Sequence, residues 1–213
     1  MSKDTLFPNI VKKRWLRPLK QWILRLVEIK SGIFLSQHIV DGALSRNASS
    51  IAPSRIVEAD GTEPGLPVSD QEFLRRTRQG NRLFQMHVDN QLVSWGWVAG
   101  PGTCIGILHD LYLTVPDRAF YIWDCATIPE CRGRGYFQML LDGILSVHRS
   151  TSTLALVAVD THNGASRKAL GKAGFRFGFT YISVRTLGLG LFSVAFKGWR
   201  VSRAQPWFDR IGR

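Results

Sequence analysis

The hexapeptide Arg132-Gly133-Arg134-Gly135-Tyr136-Phe137 lies between two stretches with different hydrophobic patterns. Before it, residues 119–128 (AFYIWDCATI) are apolar and aromatic, which is typical of a buried strand. Pro129 ends this strand, because proline cannot donate to a ladder. After the hexapeptide, apolar residues recur at helical spacing through residue 147. The sequence therefore predicts a strand, a tight basic turn rich in glycine, and a helix, in that order.

This order of elements favours an anion-binding site at the turn. Free backbone N–H groups and the positive end of a helix dipole meet there. Gly133 and Gly135 let the backbone approach a ligand, and Arg132 and Arg134 add positive charge. A flexible connection is the alternative interpretation. The turn is not a Walker loop, since no Gly-Lys-Ser/Thr follows, and it lacks the third glycine of a dinucleotide fingerprint.

A second strand and helix follow the first pair. Residues 154–159 (LALVAV) indicate a buried strand, a helix is expected over residues 164–173, and Gly174 closes that helix. Two motifs coincide with the two strand–helix joints. Arg132 and Gly135 fit R-x-x-G-x-G/A, and the N-x-x-S-x(7)-G-F pattern is met by Asn163, Ser166, Gly174 and Phe175.

With these two motifs, residues 54–200 resemble the GNAT superfamily of acetyl-CoA-dependent N-acetyltransferases. The resemblance implies an α+β (mixed α/β) fold, in which a central twisted mixed sheet is flanked by helices. Two positions depart from the family pattern. Phe137 stands where the family usually has glycine or alanine, and Leu170 stands where many members carry a tyrosine that acts as general acid. The second departure leaves the proton donor unassigned.

The resemblance also implies direct acetyl transfer from acetyl-CoA to a primary amine, without a covalent enzyme intermediate and without a metal. Backbone amides of the turn would hold the pyrophosphate, and the pantetheine arm would lie along the strand where it splays from its neighbour. A backbone N–H near the strand end would polarise the thioester carbonyl. The cosubstrate-binding residues so implied are Cys125, Ala126, Thr127, Ile128, Arg132, Gly133, Arg134, Gly135, Tyr136, Phe137, Asn163 and Ser166. For Asn163, a plain helix cap is an equal alternative.

The attacking amine must lose a proton, so a base or a water chain is expected. Alternation along the strand places Tyr121 and Cys125 on one face, together with Trp123 and Thr127. Asp124 points the other way unless a bulge intervenes. The catalytic candidates are Tyr121, Asp124 and Tyr181, with Tyr181 as a donor to the leaving thiolate, and His109, Asp110 and Glu130 as further groups. Each of them also has a structural interpretation. Cys125 is not expected to act as a nucleophile, because the spacing implies no histidine partner.

Composition limits the remaining choices. Of the net charge of +12, residues 1–30 contribute +6 and residues 197–213 contribute +4, so the body of the chain is nearly neutral. Three cysteines without metal-like spacing indicate reduced thiols, and we expect a cytoplasmic protein. We see no signal peptide and no apolar run of the ~20 residues that a spanning helix needs. Nucleic-acid binding is not expected, because no recognisable module accompanies the charge.

Residues 11–40 show apolar positions every three or four residues among basic ones, which predicts a helix or a pair of helices. Three interpretations remain open for this stripe: packing on the parent domain, contact with a partner or a second copy, and contact with an anionic membrane surface at the inner face of the membrane. We therefore divide the chain into a helical extension and linker (1–53), an acyltransferase domain (54–200) and a basic tail (201–213).

The other elements predicted from the sequence are local. Ser69 and Glu72 form a capping box before a helix, and Asp89-Asn90 predicts the turn of a hairpin. Strands are expected at residues 55–59, 82–88, 92–99, 105–115, 177–186 and 191–199.

The acceptor is left open by the sequence. A small molecule or amino sugar is favoured, and a lipid-linked amine agrees with the amphipathic start. Two other hypotheses remain: an acyltransferase that uses a longer acyl-CoA, and a non-catalytic GNAT-like scaffold that binds a membrane or protein partner.

Overall fold

A large mixed sheet forms the centre of the computed structural model, which describes residues 27–39, 54–108, 110–187 and 189–211. The strands are β1 (Val27–His38), β2 (Ser54–Glu58), β3 (Asn81–Val88), β4 (Gln91–Ala99), β5 (Cys104–Leu108), β6 (Leu111–Thr114), β7 (Ala119–Thr127), β8 (Leu154–Asp160), β9 (Arg176–Thr186), β10 (Leu189–Lys197) and β11 (Arg200–Arg203). The helices are α1 (Asp70–Arg78), α2 (Tyr136–His148), α3 (Gly164–Lys172) and α4 (Gln205–Ile211), with a 3₁₀ turn at Pro129–Cys131.

Within the described residues the sheet has nine strands, in the order β11-β10-β9-β1-β8-β7-β4-β3-β2. Strands β7 and β8 are parallel, and the other neighbours are antiparallel. Strands β5 and β6 pair with each other in a separate ribbon. The mixed sheet flanked by helices is thus confirmed. No helix among the described residues is long and apolar enough to cross a membrane.

The local signals around the motifs are confirmed. The strand–turn–helix order appears as β7, the 3₁₀ turn and α2, and β8 and α3 follow it. The Oγ of Ser69 accepts a hydrogen bond from the backbone N–H of Glu72 at 3.3 Å, as the capping box predicts. Asp89 and Asn90 have φ values of 51° and 60°, which is the left-handed pair that a tight hairpin turn needs.

The helix predicted over residues 11–40 is wrong from Val27 to His38, where the chain forms β1. This strand lies between β8 and β9 and pairs antiparallel with both, so it belongs to the sheet although we placed it in the extension. Ile33, Phe34 and Leu35 are all buried, because both faces of the sheet are covered there. A run buried on both faces has no alternation, and periodicity alone does not separate it from a helix. Residues 11–26 and 40 lie outside the described residues.

One further expectation is wrong, and the basic tail contributes to the core. The single strand expected over residues 105–115 is the β5–β6 hairpin, in which Cys104 pairs with Thr114. The basic tail contains β11 and α4, and Phe208 in α4 is only 1% exposed. Its ring packs 5.1 Å from that of Phe179 and 5.6 Å from that of Phe34, so this part of the tail completes the core.

The core lies on both faces of the sheet. Helices α2 and α3 cover one face, with Leu140, Ile144 and Leu170 buried beneath them. Helix α4 and the β5–β6 ribbon cover the other face. Helix α1 closes a third cluster over β3 and β4, where Phe73 packs 5.6 Å from Trp97. The functional candidates lie in the middle of the sheet, near the point where β7 and β8 separate.

Candidate active site

The parallel strands β7 and β8 separate in the middle of the sheet. They pair from Ala119–Leu154 to Ile122–Val157, and beyond that point β7 pairs with β4 while β8 pairs with β1. Within the part of the chain that the structure describes, the edge of β7 after Ile122 therefore has no strand partner on its β8 side. Such an edge can accept an extended ligand as if it were an added strand. This is the splay that the family resemblance implies.

A β-bulge lies at the point of separation. Asp124 has a φ of 45°, and the register between β4 and β7 shifts between Trp95 and Trp97. As a result Asp124 and Cys125 together lie opposite Gly96. The predicted common face is therefore wrong in part, because the bulge turns Cys125 toward the α2 side of the sheet.

Tyr121 and Trp123 remain on the opposite side, so Cys125 no longer shares their face. Asp124, which simple alternation would point away, lines the pocket together with Tyr121. Asp124 was expected to point the other way unless a bulge intervened, and the structure has such a bulge.

A pocket of about 270 Å³ opens at this bulge. It brings together the three catalytic candidates, Tyr121, Asp124 and Tyr181, although they come from different strands. Lys30 and Gly32 of β1 also line it, as do Asp160 at the end of β8 and the ring of Trp123. Carboxylates and hydroxyls at the open end of a splayed sheet can bind and deprotonate a small cationic group.

Both tyrosines of the pocket are buried hydroxyls. Burial raises the pKa of Tyr121 well above its ordinary value, and the facing Tyr181 adds to this effect. Burial likewise raises the pKa of Tyr181, and the nearby Asp160 contributes. Both side chains are therefore protonated at neutral pH and can donate hydrogen bonds into the pocket.

Asp124 and Asp160 are the carboxylates in the lining. The side chain of Asp124 is 45% exposed, and its Oδ2 lies 2.5 Å from Nη1 of Arg76. The backbone N–H of His162 donates to Oδ1 of Asp160 at 2.7 Å, and this bond holds the pKa of Asp160 below its usual value. The lowered pKa keeps Asp160 anionic at neutral pH.

Lys30, Gly32 and Asp160 line the pocket but were not predicted from the sequence. Lys30 and Gly32 were missed because their segment was interpreted as a helix. The alternation of Val27 and Ile29 with charged residues was the available strand signal. Asp160 directly follows a buried strand, but one carboxylate in that position is not a sufficient signal.

The glycine-rich turn has the geometry of an anion cradle. Gly133 and Gly135 have φ values of 76° and 85°, and a Cβ at either position would meet no atom within 4 Å. Gly135 is the residue before α2, so the first N–H groups of that helix point toward open space. Nε of Arg132 donates to the carbonyl of Thr127 at 3.2 Å, which ties the turn to the end of β7. These residues fit a pyrophosphate, because they combine free donors with positive charge.

Asn163 acts as a helix cap. Its Oδ1 accepts a hydrogen bond from the N–H of Ser166 at 3.0 Å. Asn163 therefore has the role of a plain helix cap, which was the alternative to a binding role. Contact of Asn163 and Ser166 with the cosubstrate stays a prediction. Phe137 packs against the core, so its ring does not fill the turn. Leu170 is 1% exposed and serves as a core residue.

The remaining candidates do not join the pocket. Burial raises the pKa of Cys125 to about 12, so its thiol is protonated and is no nucleophile at neutral pH. Asp110 lies against Gly190, and Glu130 is exposed in the 3₁₀ turn; neither lines the pocket. His109 lies outside the described residues. Ala126 and Ile128 pack toward the cluster beneath α1, close to the edge of β7.

Comparison with known proteins agrees with this geometry. The family model of the Acetyltransferase (GNAT) family matches residues 56–175, which is more than half of the chain. The protein therefore belongs to the GNAT acetyltransferase family, and membership implies acyl transfer from an acyl-CoA. A search of curated proteins found no significant match.

Solved structures resemble this chain at low sequence identity. A Drosophila protein matches with a TM-score of 0.53 and 10% identity, over 82% of this chain and 58% of its own. A GCN5-related N-acetyltransferase from Sphaerobacter thermophilus gives 0.49 and 14%, over 80% and 56%. A GNAT-family acetyltransferase from Colwellia psychrerythraea gives 0.45 and 19%, over 79% and 60%. The chain thus spans less than two thirds of each of these proteins, and the likeness concerns the fold alone.

Proposed function

We propose that this protein transfers an acetyl group from acetyl-CoA to a primary amine of a small molecule or amino sugar. One observation carries the proposal: a carboxylate and two protonated tyrosines surround a pocket at the point where β7 and β8 separate. Family membership supports the acyl-CoA donor. The small pocket and its carboxylates support a small amine as the acceptor.

The turn and the strand edge have separate binding roles in this proposal. Backbone N–H groups from Gly133 to Phe137 hold the pyrophosphate, with Arg132 and Arg134 as the nearby positive charges. The edge of β7 from Cys125 to Ile128 receives the pantetheine arm. The thioester then lies at the bulge, next to the pocket that holds the acceptor.

The chemistry needs two proton transfers that the pocket residues can supply. Asp124 binds the ammonium form of the acceptor and takes one proton. The amine nitrogen then forms a bond to the thioester carbonyl carbon, and the carbon–sulfur bond breaks. Tyr181 gives its hydroxyl proton to the leaving thiolate, and the second proton lost by the nitrogen restores that hydroxyl. The net products are the N-acetyl amine, CoA with a free thiol, and one proton.

Tyr121 and Asp160 have supporting roles. The protonated hydroxyl of Tyr121 hydrogen-bonds in the pocket, because burial keeps it neutral. Asp160 adds a second negative charge to the lining, which favours cationic acceptors over anionic ones. The ring of Trp123 supplies an apolar wall against which the acceptor can pack.

The test is the rate of CoA thiol release with a panel of spermidine, tryptamine and glucosamine. We expect Asp124→Asn to lower kcat by roughly 10²- to 10⁴-fold, because a positioned base contributes about that factor. The KM for acetyl-CoA should not change, since Asp124 lies outside the turn. Asp117→Asn, in an exposed turn, is the matched control. A wild-type rate in the Asp124→Asn variant would contradict the proposal.

A further inference from the structure

Helix α1 contacts the pocket residue Asp124 through a residue that the acetyl-transfer chemistry does not use. Arg76 lies in α1, and its side chain is only 15% exposed. Nη1 of Arg76 lies 2.5 Å from Oδ2 of Asp124, and Nε donates to Oε1 of Glu72 at 2.7 Å. Its guanidinium therefore joins two carboxylates, one in its own helix and one at the bulge of β7.

Two indole rings fix the plane of this guanidinium. Cζ of Arg76 lies 4.6 Å from the ring centroid of Trp123 and 5.0 Å from that of Trp97. Cation–π contacts of this kind favour one orientation of the planar group. Trp97 is fully buried, so the platform under Arg76 is part of the core.

A second connection runs from the backbone of Arg76 to the residue before Asp124. The side-chain amide of Asn81 donates to the carbonyl oxygen of Arg76 at 3.0 Å. In turn, Nε1 of Trp123 donates to Oδ1 of Asn81 at 3.1 Å. Asn81 is 4% exposed, so both bonds are shielded from water. Trp123 and Asp124 are thus both tied to α1.

We propose that Arg76 is the positioning residue for Asp124, which it holds by one carboxylate oxygen so that the carboxylate faces the acceptor pocket. This inference rests on the proposed function. Asp124 occupies a bulge with a φ of 45°, and no strand of the described ranges pairs with it on the β8 side. Without the guanidinium the carboxylate would turn toward solvent, and a displaced base loses much of its effect.

Lysine cannot replace arginine in this role. The fork reaches Glu72 and Asp124 from different nitrogens while its central carbon lies over the two indoles. An ammonium group is a single compact charge without a plane to stack. Hydrogen bonds from Arg75 and Arg76 also lower the pKa of Glu72 to about 2, so Glu72 stays an anionic partner of the fork over the usual assay range.

The test is a double-mutant cycle with Arg76→Ala, Asp124→Asn and the double variant. The wild type is first assayed with spermidine, tryptamine and glucosamine. The amine that it acetylates fastest is then used to measure CoA thiol release by every variant. We expect Arg76→Ala to lower kcat roughly 10- to 100-fold, since misplacement of a catalytic group costs about that much. Because Arg76 acts through Asp124, the double variant should be no slower than Asp124→Asn alone. Arg76→Lys should remain as slow as Arg76→Ala.

Arg75→Ala is the matched control. Arg75 pairs with the same Glu72 but is 56% exposed and does not contact Asp124, so its loss should leave kcat unchanged. Acetyl-CoA affinity and thermal denaturation check each variant, and Arg76→Gln, which keeps the stem over Trp123, replaces the alanine variant if that one unfolds. Losses that multiply in the double variant, or a wild-type kcat in Arg76→Ala, would overturn the role of Arg76. Failure of the proposed function would appear as no thiol release by the wild type. Failure of the Arg76 proposal would appear as an active wild type whose variants do not follow the expected cycle.

Discussion

Gly32 shows how one backbone position shapes the pocket. It lies directly opposite Tyr181 in the β1–β9 ladder, and a Cβ at Gly32 would overlap the Tyr181 hydroxyl. The missing side chain leaves the space that this hydroxyl occupies. Since Tyr181 is the donor to the leaving thiolate in our proposal, Gly32 is required by the site even though it has no chemistry of its own.

We therefore expect Gly32→Ala to lower kcat by about 10-fold or more, because the methyl group displaces the Tyr181 hydroxyl from the pocket. Acetyl-CoA affinity should persist, since the glycine-rich turn is untouched. CoA thiol release and calorimetric titration measure the two quantities. Gly171→Ala in α3, where an added Cβ meets no atom within 4 Å, is the control. Equal rates in the two variants would argue against a role for the Tyr181 hydroxyl.

Single residues also mark the limit of prediction from sequence. The glycine-rich turn could be predicted, because a basic turn between a strand and a helix has a local signature in the sequence. The orientation of Asp124 could not, because it depends on a bulge formed against Gly96 in another strand. A Cβ at Gly96 would lie 2.7 Å from Sγ of Cys125, so the bulge needs a glycine that lies 28 residues earlier in the chain.

Among the secondary-structure elements, β7 could be predicted from local sequence signals and β1 could not. Strand β7, α2, β8 and α3 were predictable, because each has its own start and stop signals and its neighbours follow directly in sequence. Strand β1 was not, since its partners β8 and β9 lie more than a hundred residues away. The pairing on both sides makes residues 27–38 a strand, and the local signal is limited to the short alternation at residues 27–30.

Phe208 in helix α4 should contribute strongly to the stability of the fold. Phe208 is 1% exposed among aromatic rings, whereas Trp199 in the turn before β11 is fully exposed. We expect Phe208→Ala to lower the free energy of unfolding by about 3–5 kcal/mol, because it removes a buried ring and leaves a cavity. Trp199→Ala should change it by no more than about 0.5 kcal/mol. Urea denaturation compares the two. A small effect at Phe208 would show that α4 does not complete the core.

At the scale of the whole molecule, charge and function occupy different places. The net charge of +12 comes mostly from the two ends of the chain, whereas the pocket carries Asp124 and Asp160. In our proposal these two carboxylates bind a cationic acceptor beside Lys30 of the same lining, although the chain as a whole is basic. Contact of residues 11–40 with a membrane or a second copy stays a prediction, since most of that segment lies outside the described residues.

Stability of the whole fold should depend on pH through His148. Its ring is buried and stacks 4.3 Å from Phe120, and Nδ1 donates to the carbonyl of Ile144 at 2.9 Å. Burial lowers the pKa of His148 below the ordinary 6.5. As the pH falls below about 6.5, the unfolded chain binds the proton first, so stability is lost until the folded pKa is reached.

We expect the melting temperature to fall between pH 7.5 and pH 5.5, and to fall less in His148→Phe, which cannot titrate and keeps the ring stack. His38→Gln, at the exposed end of β1, should retain the wild-type dependence. Thermal denaturation over this pH range is the measurement. An unchanged slope in His148→Phe would show that other groups dominate.

The most direct test of the account is calorimetric titration with acetyl-CoA of the wild type, Gly135→Asp and Gly135→Asn, at low and high salt. Asparagine and aspartate impose the same strain at a φ of 85°, but only aspartate places a negative charge among the amides that would hold the pyrophosphate. We predict saturable one-to-one binding that persists in salt, weakened at least about tenfold by aspartate and much less by asparagine. Equal affinities in the two variants, or wild-type binding that salt abolishes, would contradict the assignment of the turn as the acetyl-CoA site.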